Sequence, residues 1–367
     1  MMNDDLAQAP LAKLPRPEVG PTTPGLRRVD KPDMLPVLDR LITECGGNPA
    51  TFDGRLIRDM MLTSLKLITD GRDTGELKLI NATLKELRHG YRVFAQYAEP
   101  HKISIFGSAR TPPDHPDYVA ARRFSEIIAQ RGWLVITGAG DGIMKAGHEG
   151  PGRDASFGLA IRLPFETSAN SIIAGDGKLI TFRYFFTRKL MFLSQCEAVA
   201  VFPGGFGTHD ELFETLTLVQ TGKSSLIPIV LIEGPDSTYW TDWDRYVREE
   251  LLRGGFISPE DTNLYHLARD PMDAADYVTR FYTNYHSSRY VDDDLIIRMK
   301  RPLPEAALVE LNREFASLVR TGAIVQGGPH PVENEYTDLP RLRFTHTRRA
   351  FGVVRRLIDR INEYAPQ

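Results

Sequence analysis

Between positions 103 and 232, five short apolar runs are separated by stretches of helical spacing: Ile103 to Phe106, Leu134 to Ile136, Ser156 to Ile161, Ala198 to Phe202, and Ile227 to Ile232. Strands alternating with helices make βαβ units, and such units close into a parallel sheet that binds ligands beyond its strand C-termini. The pattern therefore predicts an α/β fold, a Rossmann-like parallel sheet with helices on both faces. Upstream, apolar residues at helical spacing (Leu35, Leu38, Leu41 and Ile42, then Leu56, Ile57, Met60 and Met61) predict an N-terminal helical layer. Downstream of His286 the grammar changes to a strand at Leu295 to Met299, a helix at Pro304 to Val319, strands near Ala323 and Leu342, and a helix at Arg348 to Tyr364. That order predicts a small C-terminal α+β appendage. The expected organisation is a mobile, Pro- and Gly-rich arm over 1–33, a helical region over 34–98, a Rossmann-like central domain over 99–285 and the appendage over 286–367.

With 367 residues, 42% of them apolar, the chain can bury a sizeable core. Its net charge of −3 offers no broad basic field for a phosphate backbone, which argues against a nucleic-acid partner. Cys45 and Cys196 stand far apart without CxxC spacing, so neither a disulfide framework nor a cysteine zinc site is expected. The start MMNDDLAQAP is acidic, and no apolar run is long enough to span a bilayer. These features lead us to expect a cytoplasmic protein with no membrane partner.

The densest chemical signal is FPGGFGTHDELFE, Phe202 to Glu214, which follows an apolar strand and precedes a helical pattern. Gly204, Gly205 and Gly207 let the backbone turn sharply and approach a ligand closely, and the helix start near Thr208 presents N–H groups that suit a phosphate. Thr208-x-x-Glu211 also reads as a capping box, which would make Glu211 a structural cap. Glu214, one turn on, would pair with Glu211 at the mouth of the loop. A carboxylate so placed suits hydrolysis of an N-glycoside, which needs water oriented and an oxocarbenium-like centre stabilised. A second loop, Thr137 to Met144, brings Gly138, Gly140 and Gly142 to another strand-to-helix turn but lacks the GxGxxG spacing of a dinucleotide site. Gly107-Ser108, after the first strand, could donate to the same ligand. In RYFFTRKLMF, Arg188 could fork onto a phosphate or a carboxylate, or could be a solvated helix residue. His209 and Asp210 have no companion His cluster, so no metal is expected.

Together these pieces resemble the LONELY GUY family, formerly described as lysine decarboxylases. Pro203 to Glu211 matches its PGGxGTxxE motif, and Arg188-Lys189 matches its upstream RK pair. The resemblance implies a homodimer or larger assembly, no metal, no cofactor, and a phosphoribohydrolase acting on a small-molecule nucleotide. By carry-over, Arg188 and Glu211 would be the catalytic pair, with Gly204, Gly205, Gly207 and Thr208 around the phosphate and Lys189 beside it. The expected substrate is AMP or a cytokinin riboside 5′-monophosphate. Two other readings stand beside this one: a non-catalytic nucleotide sensor or carrier on the same fold, and a pyridoxal-dependent decarboxylase using a buried lysine.

Overall fold

The structure, a computed structural model, describes residues 34–162 and 169–364; the arm expected over 1–33 lies outside them. The chain divides into two compact units, 1–82 and 83–367. In the first, α1 (Met34–Glu44) packs on α2 (Phe52–Thr69), and Arg58 bonds Asp39 at 3.0 Å. Thr51 caps α2 by accepting from the Gly54 N–H. The division falls inside α3 (Thr74–Phe94).

The second unit is built on a seven-stranded, all-parallel sheet. Its first half alternates β1 (Lys102–Phe106), α4 (Pro116–Gln130), β2 (Leu134–Thr137), α5 (Ile143–Glu149), β3 (Ser156–Ile161), β4 (Leu179–Phe182) and α6 (Phe185–Ser194). Its second half continues with β5 (Ala198–Val201), α7 (Phe206–Gln220), β6 (Ile229–Leu231), α8 (Tyr239–Tyr246), β7 (His266–Leu267) and α9 (Pro271–Phe281). The strand order is β4-β3-β2-β1-β5-β6-β7. The central strands β1 and β5 are buried at every position, which is why they read as unbroken apolar runs. The edge strands β4 and β7 escape the periodicity because they are short and take their pairing from the neighbouring backbone. The end of α3 packs into this core, with Phe94 stacked on Phe157 at 4.6 Å.

A second, antiparallel sheet follows, ordered β10-β11-β9-β8. It comprises β8 (Tyr285–Val291), β9 (Asp294–Met299), β10 (Val319–Gly327) and β11 (Arg341–His346), accompanied by α10 (Glu305–Glu314) and α11 (Phe351–Glu363). The helix expected from Pro304 to Val319 stops at Glu314, because Val319 pairs with His346 and the strand ladder takes over the backbone bonding. Asn312 fixes the turn by accepting from Ile324 N–H at 2.8 Å and donating to its carbonyl at 2.9 Å. The buried Glu333 carboxylate is held between Arg298 at 2.6 Å and Arg341 at 2.9 Å, a pairing that offsets its desolvation. Among the described residues no helix is long and apolar enough to cross a membrane.

The order of the large sheet reverses between β1 and β5, and the loops leaving these strands part there to form a crevice. Their contact with the β2 loop depends on Gly142, which sits at φ 61° and starts α5. A Cβ at Gly142 would lie 2.3 Å from the Ser108 carbonyl oxygen, and Ile143 N–H donates to that same oxygen at 3.0 Å. Gly142→Ala should therefore lower the free energy of unfolding by roughly 1–3 kcal/mol, combining a disfavoured backbone with a clash against main chain. Gly177→Ala, where nothing lies within 4 Å of the new methyl, is the control and should melt like the wild type.

Candidate functional site

Three strand-to-helix loops and two helices surround a cavity of about 800 Å³ at the crevice. Gly107 and Ser108 reach it from β1, Gly138 from β2, Gly204 and Gly205 from β5, Gly207, Thr208 and Glu211 from α7, and Arg188 from α6. Gly140 and Gly142 stand behind this wall and shape the β2 loop, while Lys189 and Glu214 form a charge cluster beside it. Ser108 cannot present its N–H to a ligand, since that group donates to the Pro203 carbonyl at 3.1 Å. Its contact instead ties the β1 loop to the β5 loop.

The β5 loop brings the backbone into α7 with no side-chain cap: Gly205 is the N-cap residue and the helix begins at Phe206. The expected capping box therefore does not form. Thr208 lies within the first turn rather than at the cap, so Glu211 is not needed to reach back to it, and its side chain is left for another task. Thr208 packs so closely against Gly204 that a Cβ there would meet its Oγ1 at 2.1 Å. Side chains at Gly205 and Gly207 would meet nothing within 4 Å, which leaves open space at the exposed end of the helix. Thr208 N–H donates to the Gly205 carbonyl at 3.0 Å, while the N–H groups of Phe206 and Gly207 and the positive end of the helix dipole face a setting that suits an anion.

Arg188 and Lys189 are neighbours on α6, so the helical advance of about 100° per residue sends them in different directions. Arg188 Nε donates to the Leu159 carbonyl at 2.7 Å at the end of β3, and its guanidinium lies 5.2 Å over the Phe192 ring. Lys189 turns to α7, where it lies 2.9 Å from Asp210 and 3.7 Å from Glu211 and forms an ion pair with Glu214. The start of α6 is held from α3: Glu86 accepts from the Arg183 N–H at 2.8 Å and from the Thr187 hydroxyl at 2.5 Å.

Glu211 is 8% exposed, and its Oε2 is buried without a hydrogen bond among the described residues. Burial lifts its pKa to about 7, against the pull of Lys189 and Arg188. Burial alone would lower the pKa of Lys189, but bonds to Glu214 and Asp210 and the field of Glu211 hold it above its ordinary value. A carboxyl poised near neutrality beside a fixed ammonium can take or give a proton at the pH of the cell.

Several contributors are residues that the motif does not specify. His209 is tied to α8, its Nε2 lying 2.7 Å from the Tyr239 hydroxyl. Phe185 and Phe192 line the cavity with Arg188 from one face of α6, a spacing of three and four residues that the sequence does display. The buried His148 joins Thr137 at 2.9 Å, the Phe157 carbonyl at 3.0 Å and Asn170, whose Nδ2 donates to the Gly140 carbonyl at 3.0 Å. This network braces the β2 loop, in which Ala139 adopts the left-handed φ of 64°. Among the described residues no group of three His, Cys, Asp or Glu is arranged to hold a metal.

The raised pKa of Glu211 couples to stability. Because the folded value of about 7 exceeds the 4.5 of an ordinary glutamate, protonation favours the fold. The contribution is full below about 4.5, is lost as pH rises through about 7, and amounts to about 3 kcal/mol. Glu211→Gln escapes that loss, so its melting temperature relative to wild type should be higher at pH 8 than at pH 5. An equal difference at both values would mean that Glu211 is not desolvated as described.

Comparison with known proteins finds one family likeness. A family model described as possible lysine decarboxylase matches residues 139–278. No curated protein matches the sequence. Among solved structures, the molybdenum cofactor binding protein of Rippkaea orientalis is similar at 18% identity, covering 49% of this chain and 96% of that one with a TM-score of 0.35. The molybdenum cofactor carrier protein of Chlamydomonas reinhardtii is similar at 20% identity, covering 50% and 98% with a TM-score of 0.36. At these scores neither likeness bears on what the chain does. The matched residues 139–278 contain both Arg188-Lys189 and Pro203 to Glu211, the motif pair that resembles the LONELY GUY family.

Proposed function

We propose that this protein hydrolyses the N-glycosidic bond of a nucleoside 5′-monophosphate, AMP or a cytokinin riboside 5′-monophosphate, to the free base and ribose 5-phosphate. The observation that carries the reading is the buried Glu211 carboxyl, with its pKa near 7, beside an uncapped helix N-terminus at the wall of one cavity. A 5′-phosphate on the first turn of α7 would place the sugar so that its C1′ meets Glu211. The C1′–N bond breaks as the base leaves with the electron pair. Water oxygen bonds to C1′, its proton passes to Glu211, and the base receives a proton in turn. Arg188, anchored on the Leu159 carbonyl, supplies positive charge next to this centre, and Lys189 keeps Asp210, Glu211 and Glu214 together.

The same geometry disfavours the decarboxylase reading. A lysine that forms a Schiff base must shed its proton, and the carboxylates around Lys189 oppose this. Phe185, Phe186 and Leu190 are exposed along α6, with Phe185 at the cavity. Assembly into the homodimer or larger oligomer that the family resemblance implies would cover such apolar surface.

Incubation with a panel of nucleoside monophosphates, with released bases identified by chromatography, tests the proposal. Binding without base release would favour the carrier or sensor reading. Glu211→Gln should lower turnover by about a hundredfold or more while leaving nucleotide binding in place. If the carboxylate form acts on water, wild-type kcat/KM should rise with pH through about 7, and the Gln variant should lose that limb. Normal turnover in the variant would return Glu211 to a structural role.

AMP should also be a far better substrate than adenosine. Charge-assisted hydrogen bonds contribute roughly 1.5 to 3 kcal/mol each, so two of them to the phosphate correspond to about two to four orders of magnitude in kcat/KM. Equal efficiency on nucleoside and monophosphate would overturn the phosphate assignment.

A further inference from the structure

Tyr239 lies outside every motif in the sequence, at the first residue of α8 and 35 positions from the glycine it touches. Its hydroxyl donates to the Gly204 carbonyl at 2.5 Å. A phenol has one proton, and with it placed on Gly204 the 2.7 Å contact to His209 must be donated by imidazole Nε2–H to the phenolic oxygen. His209 thereby orients Tyr239 and strengthens its bond to the loop.

The segment that delivers Tyr239 is itself rigid. Glu233, just beyond β6, accepts from the Ser237 hydroxyl at 2.7 Å and from the Trp240 N–H at 3.0 Å. The buried Trp240 ring donates from Nε1 to the Ile232 carbonyl at 3.0 Å and packs edge-on against Tyr239 at 4.8 Å. Tyr239 is thus fixed to the end of the parallel sheet and not to the loop it contacts.

The consequence lies in the peptide between Gly204 and Gly205. A trans peptide is planar, with its C=O and N–H pointing in opposite directions. Gly204 and Gly205 line the cavity and Tyr239 does not. Pinning the carbonyl toward Tyr239 therefore aims the Gly205 N–H toward the cavity, and that N–H has no partner among the described residues. A pair of glycines has little else to hold this peptide in one orientation.

We propose that Tyr239, oriented by His209, is a positioning residue for anion recognition: it locks the Gly204–Gly205 peptide so that the Gly205 N–H joins the first turn of α7 in holding the phosphate of the substrate. This rests on the proposed function, in which that turn takes a phosphate ester.

Calorimetric binding of ribose 5-phosphate and of adenosine to full-length wild type, Tyr239→Phe, His209→Gln and His209→Leu tests it, with thermal melts as the folding control. Tyr239→Phe should bind ribose 5-phosphate about tenfold more weakly, the scale of one hydrogen bond, and adenosine as the wild type does. His209→Gln, which keeps an N–H near the Nε2 position, should retain more ribose 5-phosphate affinity than His209→Leu. Unchanged ribose 5-phosphate binding in Tyr239→Phe would overturn the inference alone, as would an equal loss for both ligands. A wild type that binds no ribose 5-phosphate would instead overturn the proposed function, and the inference with it.

Discussion

A carboxylate taken out of water at the end of a parallel sheet is expensive unless charge is arranged around it, and the site rests on how that cost is met at Glu211. One ammonium, Lys189, is shared among Asp210, Glu211 and Glu214, so no single carboxylate is fully neutralised. Glu214 and Asp210 take the short contacts while Glu211 stands 3.7 Å away and is buried. That unequal sharing leaves Glu211 as a buried acid with a raised pKa, while Asp210 and Glu214 hold the lysine. It also requires α6 and α7 to stay in register, which explains why Glu86 bonds the start of α6 from a third helix.

The sheet supplies the place for this arrangement. With β1 and β5 adjacent and the chain moving outward from them in both directions, the loops after these strands separate and leave a crevice that side chains do not fill. The walls are tied to one another at their base by main-chain contacts: Ser108 N–H to the Pro203 carbonyl, and Ile143 N–H to the Ser108 carbonyl. Such contacts make the glycine loops a framework as well as a lining. Gly142 serves the framework and Gly205 and Gly207 the opening, although all three look alike in the sequence.

Charged groups elsewhere follow the opposite logic. Glu333, in the loop between β10 and β11, is as buried as Glu211 but lies between two guanidiniums that bond both of its oxygens, and its pKa is pushed below the usual range even though burial works the other way. The comparison isolates what is unusual about Glu211: an oxygen left without a hydrogen bond in a buried setting. A structural carboxylate is satisfied, whereas this one is held short of satisfaction beside a cavity.

The sequence by itself determined the parallel sheet, because strands buried on both faces must be continuously apolar and their alternation with helices admits few other folds. It also pointed to residues that line the crevice, such as Gly107, Gly138, Arg188, Gly204 and Glu211, because glycines and a helix start after a strand mark loops at a sheet end; Gly140, Gly142, Lys189 and Glu214 are not part of that lining. It could not separate Glu211 as a cap from Glu211 as an acid, since both readings use the same Thr-x-x-Glu spacing; the start of α7 at Phe206 removes the cap. It was equally silent on β4, β7 and β8, whose pairing comes from neighbouring backbone, and on Tyr239 and His148, which reach the loops from separate elements. Local pattern records what a segment must bury, while hydrogen bonds between distant segments and the desolvation of one carboxyl exist only once the chain has folded around them.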